Sequence, residues 1–500
     1  MCSLPHHLLC RQSPAKSDAH NALSRRNFLE GAALSAFLAT LGSGASLVGK
    51  AQAQTNANTR MLLKGGNILS MDAQVGDLKV GDLLIDNGRI AAIGPNLTAG
   101  DAQVIDASNR IVMPGFIDTH RHMWEGIVRN SLPNSTLFEY LQIILGKVGP
   151  VYRPDDVYAG NLVSALGALD AGVTSILDWS HIQNTPEHTD AAVKALQESG
   201  IRAVFGYGAP QIGWGKRLTD STAHRYPNDL RRLKTRYFSS DDQLVTLCLA
   251  ANGPGFGSLE AATAEWKLAR EVGVRLSVHA GIGQGGRHPY EEMGKTGIFG
   301  PDTTYIHCSH LTPTEWKMIA DSGGTVSIAA LVEMTLGLNP PAVQESLAAG
   351  IRPSLSVDVE TSVPGDMFSQ MRAAFSQQRD EIFTRTRKGE KDLKRVTARD
   401  VLEFATVEGA RANGMEKKTG SLTIGKQADI IMLRTDAINV MPVKDPVAAV
   451  VVGMDTSNVD TVIVGGRIRK RDGKLIGVDM KRIADLAQKS HDYVVAKAGI

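Results

Sequence analysis

The chain has 500 residues, of which 43% are apolar, 21% charged and 5% aromatic, a balance that buries a large core and excludes disordered and fibrous classes. Fifty-four basic side chains against 52 acidic ones leave a formal charge of +2, without long runs of one sign, so nucleic acid is not an expected partner.

In chain order, Ser24-Arg25-Arg26-Asn27-Phe28-Leu29 comes first, ahead of a weakly apolar stretch from Gly31 to Val48 and the small-residue sequence Ala51-Gln52-Ala53. The stretch is too short and too rich in Gly, Ala and Ser to span a bilayer well. It resembles a twin-arginine export signal over residues 1–53, with Glu30 where that pattern usually carries Lys. The resemblance implies the twin-arginine export machinery as a partner and a periplasmic location. No later segment reaches spanning length, so the mature chain is expected to lack a membrane span. Cys2 and Cys10 leave with the signal, and Cys248 and Cys308, both in apolar runs, read as buried free thiols. A disulfide framework and a paired-cysteine zinc site are excluded.

Between residues 60 and 112 short apolar runs alternate with Gly and Asn turns, and Asn87-Gly88 between two such runs is a hairpin signal. The same texture returns over residues 414–478, in Ala428-Asp429-Ile430-Ile431-Met432-Leu433 and Thr461-Val462-Ile463-Val464. Short strands need partners, so the two ends are expected to build one small β-sandwich domain, followed by a C-terminal helix over 479–500.

Residues 113–413 have another rhythm. β-branched runs recur at Phe116-Ile117-Asp118, Val173 to Asp178, Ile201 to Phe205, Leu244 to Leu247, Val274 to Val278, Thr304 to Ile306, Thr325 to Ile328 and Ile351 to Val357. Most are separated by helical stretches such as Ala191 to Ser199 and Ser258 to Val272. Eight strands alternating with helices predict an α/β fold, a (β/α)8 TIM barrel, with an insertion after the first strand and helical patterns from Asp366 to Asn413 after the last. A doubly wound open sheet is the alternative, but no glycine-rich phosphate turn follows the first strand.

A parallel barrel carries its active site at the carboxyl ends of its strands. The first run ends Asp118-Thr119-His120-Arg121-His122, the second Asp178-Trp179-Ser180-His181, the fifth Val278-His279, the sixth Ile306-His307-Cys308-Ser309-His310 and the eighth Val357-Asp358. The strand period of two points His120 and His122 to one side and Arg121 away. With His279 and Asp358 they offer three imidazole nitrogens and one carboxylate, a set that suits one divalent ion, zinc first and iron second, with an open position for water.

Pro114-Gly115-Phe116-Ile117-Asp118-Thr119-His120-Arg121-His122 resembles the first-strand signature of the amidohydrolase superfamily, and Thr419-Gly420-Ser421-Leu422-Thr423-Ile424-Gly425-Lys426-Gln427-Ala428-Asp429 its C-terminal signature. Within that superfamily the chain is most similar to the cytosine deaminase and triazine hydrolase group. The resemblance implies His120, His122, His279 and Asp358 as metal ligands, with Asp358 also accepting the proton of the activated water. His307 matches the residue that stabilises developing negative charge, and His310 competes for that role. The fourth run contains no Lys, so subtypes that bridge two metals are unsupported. Deaminases of this group carry a Glu three residues after the fifth-strand His, where this chain has Ile282. Glu333, beyond the seventh run, offers a carboxylate from another strand, and His181 faces the expected mouth as a substrate-binding candidate.

These features predict a metal-dependent hydrolase that cleaves a non-peptide C–N bond (amide, carbamate, lactam or ring amidine) of a small polar or heterocyclic compound with activated water. Two alternatives stand beside it: an aminohydrolase releasing ammonia from a heterocycle, and a catalytically silent periplasmic solute binder. Substrate identity stays open, as does oligomeric state, a homo-oligomer being one answer.

Overall fold

The computed structural model describes residues 60–210, 226–282 and 286–500; the export signal read over residues 1–53 lies outside them. Asn87-Gly88, with φ of 50° and 76°, turns the chain between the strands Leu78–Asp86 and Arg89–Gly94, which pair antiparallel with Asp86 opposite Arg89. Two consecutive positive φ values are what a two-residue hairpin requires, and Asn followed by Gly tolerates them best.

The hairpin belongs to a nine-stranded sheet drawn from both ends of the described chain. The halves join where Arg110–Pro114 lies antiparallel to Ile430–Arg434, Met113 opposite Ile431. Leu63, Ile85, Val112, Ile430 and Ile463 share one buried core, so the expected composite domain is one hydrogen-bonded sheet around a common interior.

The second sheet holds eight parallel strands: Phe116–Arg121, Val173–Ser180, Arg202–Tyr207, Val245–Ala251, Arg275–Ala280, Thr303–His307, Thr325–Ile328 and Ser354–Leu355. They run in sequential order, and an isolated parallel bridge between Arg121 and Asp358 links the last to the first. At that seam the Asp358 N–H donates to the His120 carbonyl and the His122 N–H to the Asp358 carbonyl, each at 2.9 Å. The eighth strand is shorter than the run from Ile351 to Val357 that marks it. Pro353 has no N–H for the ladder, and the Ile351 N–H is taken by the Ser346 carbonyl of the preceding helix.

Helices Pro186–Ser199 and Leu259–Val272 cover the barrel, the latter capped by Ser258, whose hydroxyl accepts from the Ala261 N–H. The long connection after the first strand contains helical turns at Met123–Val128, Leu137–Tyr140 and Leu141–Val148 before helix Pro154–Asp170. Leu137, Tyr140, Leu141 and Leu145 from this insertion line the cavity at the barrel mouth. The final helix, Met480–Ala498, is tied to the insertion by the Arg153 guanidinium over the Tyr493 ring at 3.4 Å. None of the described helices is long and apolar enough to cross a membrane.

Candidate metal centre and its cavity

The first strand delivers His120 and His122 to the mouth with ring centroids 4.7 Å apart. Arg121 turns away into a buried ionic layer, with Nε 2.8 Å from Asp118 and a guanidinium nitrogen 3.3 Å from Glu360. His279 ends the fifth strand and is fixed from behind by the Tyr290 hydroxyl, which donates to its backbone carbonyl at 2.7 Å. Asp358 follows the eighth strand with φ of 70°, and His307 ends the sixth with φ of 68°. Such left-handed backbone is uncommon for non-glycine residues and concentrates where a side chain must be aimed.

The four ligand atoms of His120, His122, His279 and Asp358 all lie within 4.8 Å of one another. Asp358 Oδ1 is 3.0 Å from His120 Nε2 and 3.3 Å from His122 Nε2, and His120 Nε2 is 3.2 Å from His279 Nε2. Protons alone satisfy this cluster poorly. His122 Nδ1 must carry its hydrogen, because it lies 2.8 Å from the Trp179 carbonyl, which only accepts. In the neutral ring the Nε2 lone pair then faces the Asp358 carboxylate. His120 and His279 set two further ring nitrogens against each other. Lone pairs converging from three imidazoles and a carboxylate are the donor set of a divalent cation. The sequence-marked ligands are thus brought together in one place.

Electrostatics point the same way. Burial holds His120 down at about 4 and drives His279 well below its ordinary value, so both rings are neutral donors. Burial also opposes the charge of Asp358, yet its pairing with His120, His122 and His307 holds it well below the carboxylate range. For His122 the hydrogen bond and charge of Asp358 outweigh burial and raise its value, a pull that a cation at the centre would take over.

His307 stands beside the cluster with Nε2 3.6 Å from Asp358 Oδ2. Its Nδ1 is 2.9 Å from Glu333 Oε1, an oxygen that also accepts from the Ala329 N–H at 2.9 Å. Burial would lower His307, but the Glu333 hydrogen bond and the Asp358 charge raise it. Glu333 is fully buried behind His307 and is not among the cavity-lining residues. His181 does line the cavity, its ring stacked on His122 at 4.1 Å, with the Trp124 indole N–H donating to its Nδ1 at 3.0 Å. His310 is exposed, 3.4 Å from the Asn339 amide, and outside the cavity wall.

Around the cluster the wall is mostly apolar: Leu137, Leu141, Leu145, Phe256, Ile282, Val332 and Leu336. Ile282, three residues after His279, lines the cavity with no carboxylate to offer, and Asp358 is the only carboxylate among the described lining residues.

Residues 111–469 match the model of the amidohydrolase family. The chain belongs to this family. It is similar to a 5'-deoxyadenosine deaminase of Methanosarcina mazei, 28% identical over 87% of this chain and 99% of that one. A 5-methylthioadenosine/S-adenosylhomocysteine deaminase of Symbiobacterium thermophilum is also 28% identical, over 83% of this chain and 94% of the relative. Among solved structures, an adenosine deaminase from Xanthomonas campestris with bound zinc superposes at a TM-score of 0.75 and 19% identity, covering 88% of this chain and 99% of that one. Atrazine chlorohydrolase from Arthrobacter aurescens, complexed with zinc, does so at 0.77 and 22%, covering 86% and 100%. These two show the shared fold. As an amidohydrolase-family member with full-length deaminase relatives, the chain is a metal-dependent hydrolase acting on carbon–nitrogen bonds, which sets aside the silent-binder alternative.

Three participants carry no signal in the linear sequence. Asn252 lines the cavity after the fourth strand. Tyr140, from the insertion, lines it too and donates to the fully buried Glu125 at 2.7 Å. Burial lifts the Glu125 carboxyl to about 8. Glu125 stands three residues after His122, a spacing that marks it only once the Met123–Val128 turn is known to fold back on the mouth.

Proposed function

We propose that this amidohydrolase-family enzyme hydrolyses a C–N bond in a small heterocyclic or cyclic amide-like compound with one divalent ion, zinc before iron. The observation that carries the reading is the cavity wall, where Asp358 is the sole carboxylate among the described lining residues, with its ligand oxygen within 4.8 Å of ligand nitrogens of His120, His122 and His279. A divalent ion held by His120, His122, His279 and Asp358 would polarise both the water and the scissile group. Asp358 is ionised and accepts the proton of the attacking water. Its Oδ2 can then return that proton to the leaving nitrogen, so the cycle runs without a second carboxylate. His307, kept basic by Glu333, stabilises negative charge as the trigonal carbon becomes tetrahedral. His181 and the apolar wall hold a flat ring over the cluster.

A second reading, ammonia release from an aminated heterocycle, is favoured by the two deaminase relatives that align along more than four-fifths of the chain. Turnover by the zinc-loaded and iron-loaded chain separates the two. Lactams, carbamates and amides are assayed for carboxylic acid, and 5'-deoxyadenosine and 5'-methylthioadenosine for ammonia. Asp358→Asn must abolish whichever product forms. No turnover of either kind overturns the proposal.

Export by the twin-arginine route to the periplasm is also proposed, on Arg25-Arg26 and the small-residue site at Ala51-Gln52-Ala53. Cell fractionation of the wild type and of an Arg25→Lys, Arg26→Lys variant tests it. Equal distribution of both overturns it.

A further inference from the structure

Beyond the metal ligands and His307, Tyr140, Trp179, His181 and Asn252 are the other side chains with a polar group among the lining residues. Asn252 is placed with unusual care. The chain turns sharply after it, at Gly253, with φ of 64°, where a Cβ would stand 2.4 Å from Val278 Cγ2. Only glycine allows both the turn and the close approach.

Behind this turn sits Glu265, on helix Leu259–Val272 and 4% exposed. Its Oε1 accepts from the Asn252 backbone N–H at 3.1 Å, from Asn252 Nδ2 at 3.3 Å and from the Tyr226 hydroxyl at 2.7 Å, while Oε2 accepts from the Gly253 N–H at 3.0 Å. A carboxylate met by four donors has only acceptor capacity to offer. The Asn252 amide can therefore face it only with its NH2 end. The flipped amide would set carbonyl oxygen against carboxylate oxygen and forfeit a charge-assisted hydrogen bond. With one N–H held by Glu265, Oδ1 is the acceptor that the amide keeps free of the carboxylate. The neighbouring lining residues Ala251, Phe256 and Ile282 have no side-chain polar group.

We propose that Asn252 is a specificity-determining residue that selects substrates bringing an N–H or O–H donor to this wall, with Glu265 as the positioning residue that fixes its polarity. The proposal rests on the hydrolase reading above for where the substrate lies. A ligand without a donor encloses the Asn252 oxygen unmatched, whereas one with a donor satisfies it. Sites built this way discriminate by roughly tenfold or more per hydrogen bond.

The test is calorimetric affinity of the zinc-loaded full chain for matched pairs: adenine against N6,N6-dimethyladenine, hypoxanthine against 1-methylhypoxanthine, and 2-pyridone against its N-methyl derivative. The expected result is at least one pair in which the N–H member binds about tenfold or more tightly, a ratio that Asn252→Leu reduces to near unity while still binding the methylated member. Glu265→Gln, which can donate to the Asn252 oxygen and release the amide to turn, should lower or invert the ratio without touching the ligand. If the leucine variant does not fold, Asn252→Ala, which also lacks an acceptor, carries the same comparison. Equal binding of both members in every pair, binding of none, or a ratio that survives the leucine variant overturns the proposal. A donor preference that depends on Asn252 in a chain that hydrolyses no C–N bond would overturn the hydrolase reading and leave this one standing. Hydrolysis without donor preference does the reverse.

Discussion

His307 is clamped between two carboxylates: Nδ1 lies 2.9 Å from Glu333 and Nε2 3.6 Å from Asp358. Glu333 is the fixed end of this line, since it is fully buried and also accepts from the Ala329 N–H. Glu333→Gln keeps the shape but removes the charge that raises His307. We expect kcat to fall by about 10- to 100-fold with KM nearly unchanged, the usual size of an effect exerted through an orienting partner. Steady-state kinetics check this, and a rise in KM at constant kcat would instead place Glu333 in substrate binding.

Beneath the metal cluster, Arg121 is fully buried between Asp118 and Glu360. Arg121→Met leaves Asp118 without its cation in the barrel interior. Removing one member of a buried ion pair typically costs about 3–5 kcal/mol. Urea unfolding of this variant should show a loss of that size, and a change below about 1 kcal/mol would mean that water reaches the layer.

Asp82 gives the nine-stranded sheet a pH dependence. Burial opposes its charge, yet the Lys64 ammonium at 2.9 Å and the N–H groups of Gly65 and Leu97, each at 2.8 Å, hold its carboxyl below the ordinary value. A depressed carboxyl contributes stability that is complete above the unfolded value of about 3.9 and is lost as pH falls through the lower folded value. Asp82→Asn should therefore be about 1–3 kcal/mol less stable at neutral pH, and the gap should close as pH drops below about 4. Unfolding midpoints measured from pH 7 to pH 3 test the sign. A gap that widens on acidification contradicts it.

Gly160 lets helix Pro154–Asp170 approach the Met123–Val128 turn, and a Cβ there would stand 2.1 Å from the Trp124 carbonyl. Alanine has the higher helix propensity by about 1 kcal/mol, but the obstruction is backbone and cannot rotate away. Gly160→Ala should be destabilised by about 1–3 kcal/mol. It should also bind metal more weakly in chelator competition, because Trp124 follows the candidate ligand His122 by two residues. A stabilised variant would show that the turn moves freely.

The barrel was legible because its strands are short runs rich in apolar and β-branched residues between helical stretches, and Asn87-Gly88 marked the hairpin of the nine-stranded sheet by turn chemistry alone. The candidate metal cluster of His120, His122, His279 and Asp358 was legible as a set of residues for the same reason, standing where strands end. The eighth run, Ile351 to Val357, alternates apolar residues with Arg352, Ser354 and Ser356 as a strand would, but Pro353 interrupts its ladder. Glu333, Glu265 and Glu125 act at distances fixed by tertiary structure. Glu333 stands on the short helix Ala330–Thr335 and reaches back across 26 residues to His307. Glu265 supports Asn252 from the next helix. Tyr140 enters the cavity only because the insertion folds over the mouth. Carboxylates that orient a neighbour follow no fixed spacing, so the sequence marks Glu333 as a residue without marking its partner.

The most direct test of the account is metal content by elemental analysis of the purified chain, wild type beside His120→Ala and Asp358→Ala, read together with turnover. The account predicts about one zinc or iron per chain in the wild type, lost or strongly reduced in both variants together with hydrolysis. A wild type that stays metal-free after reconstitution yet hydrolyses its substrate at full rate would contradict it.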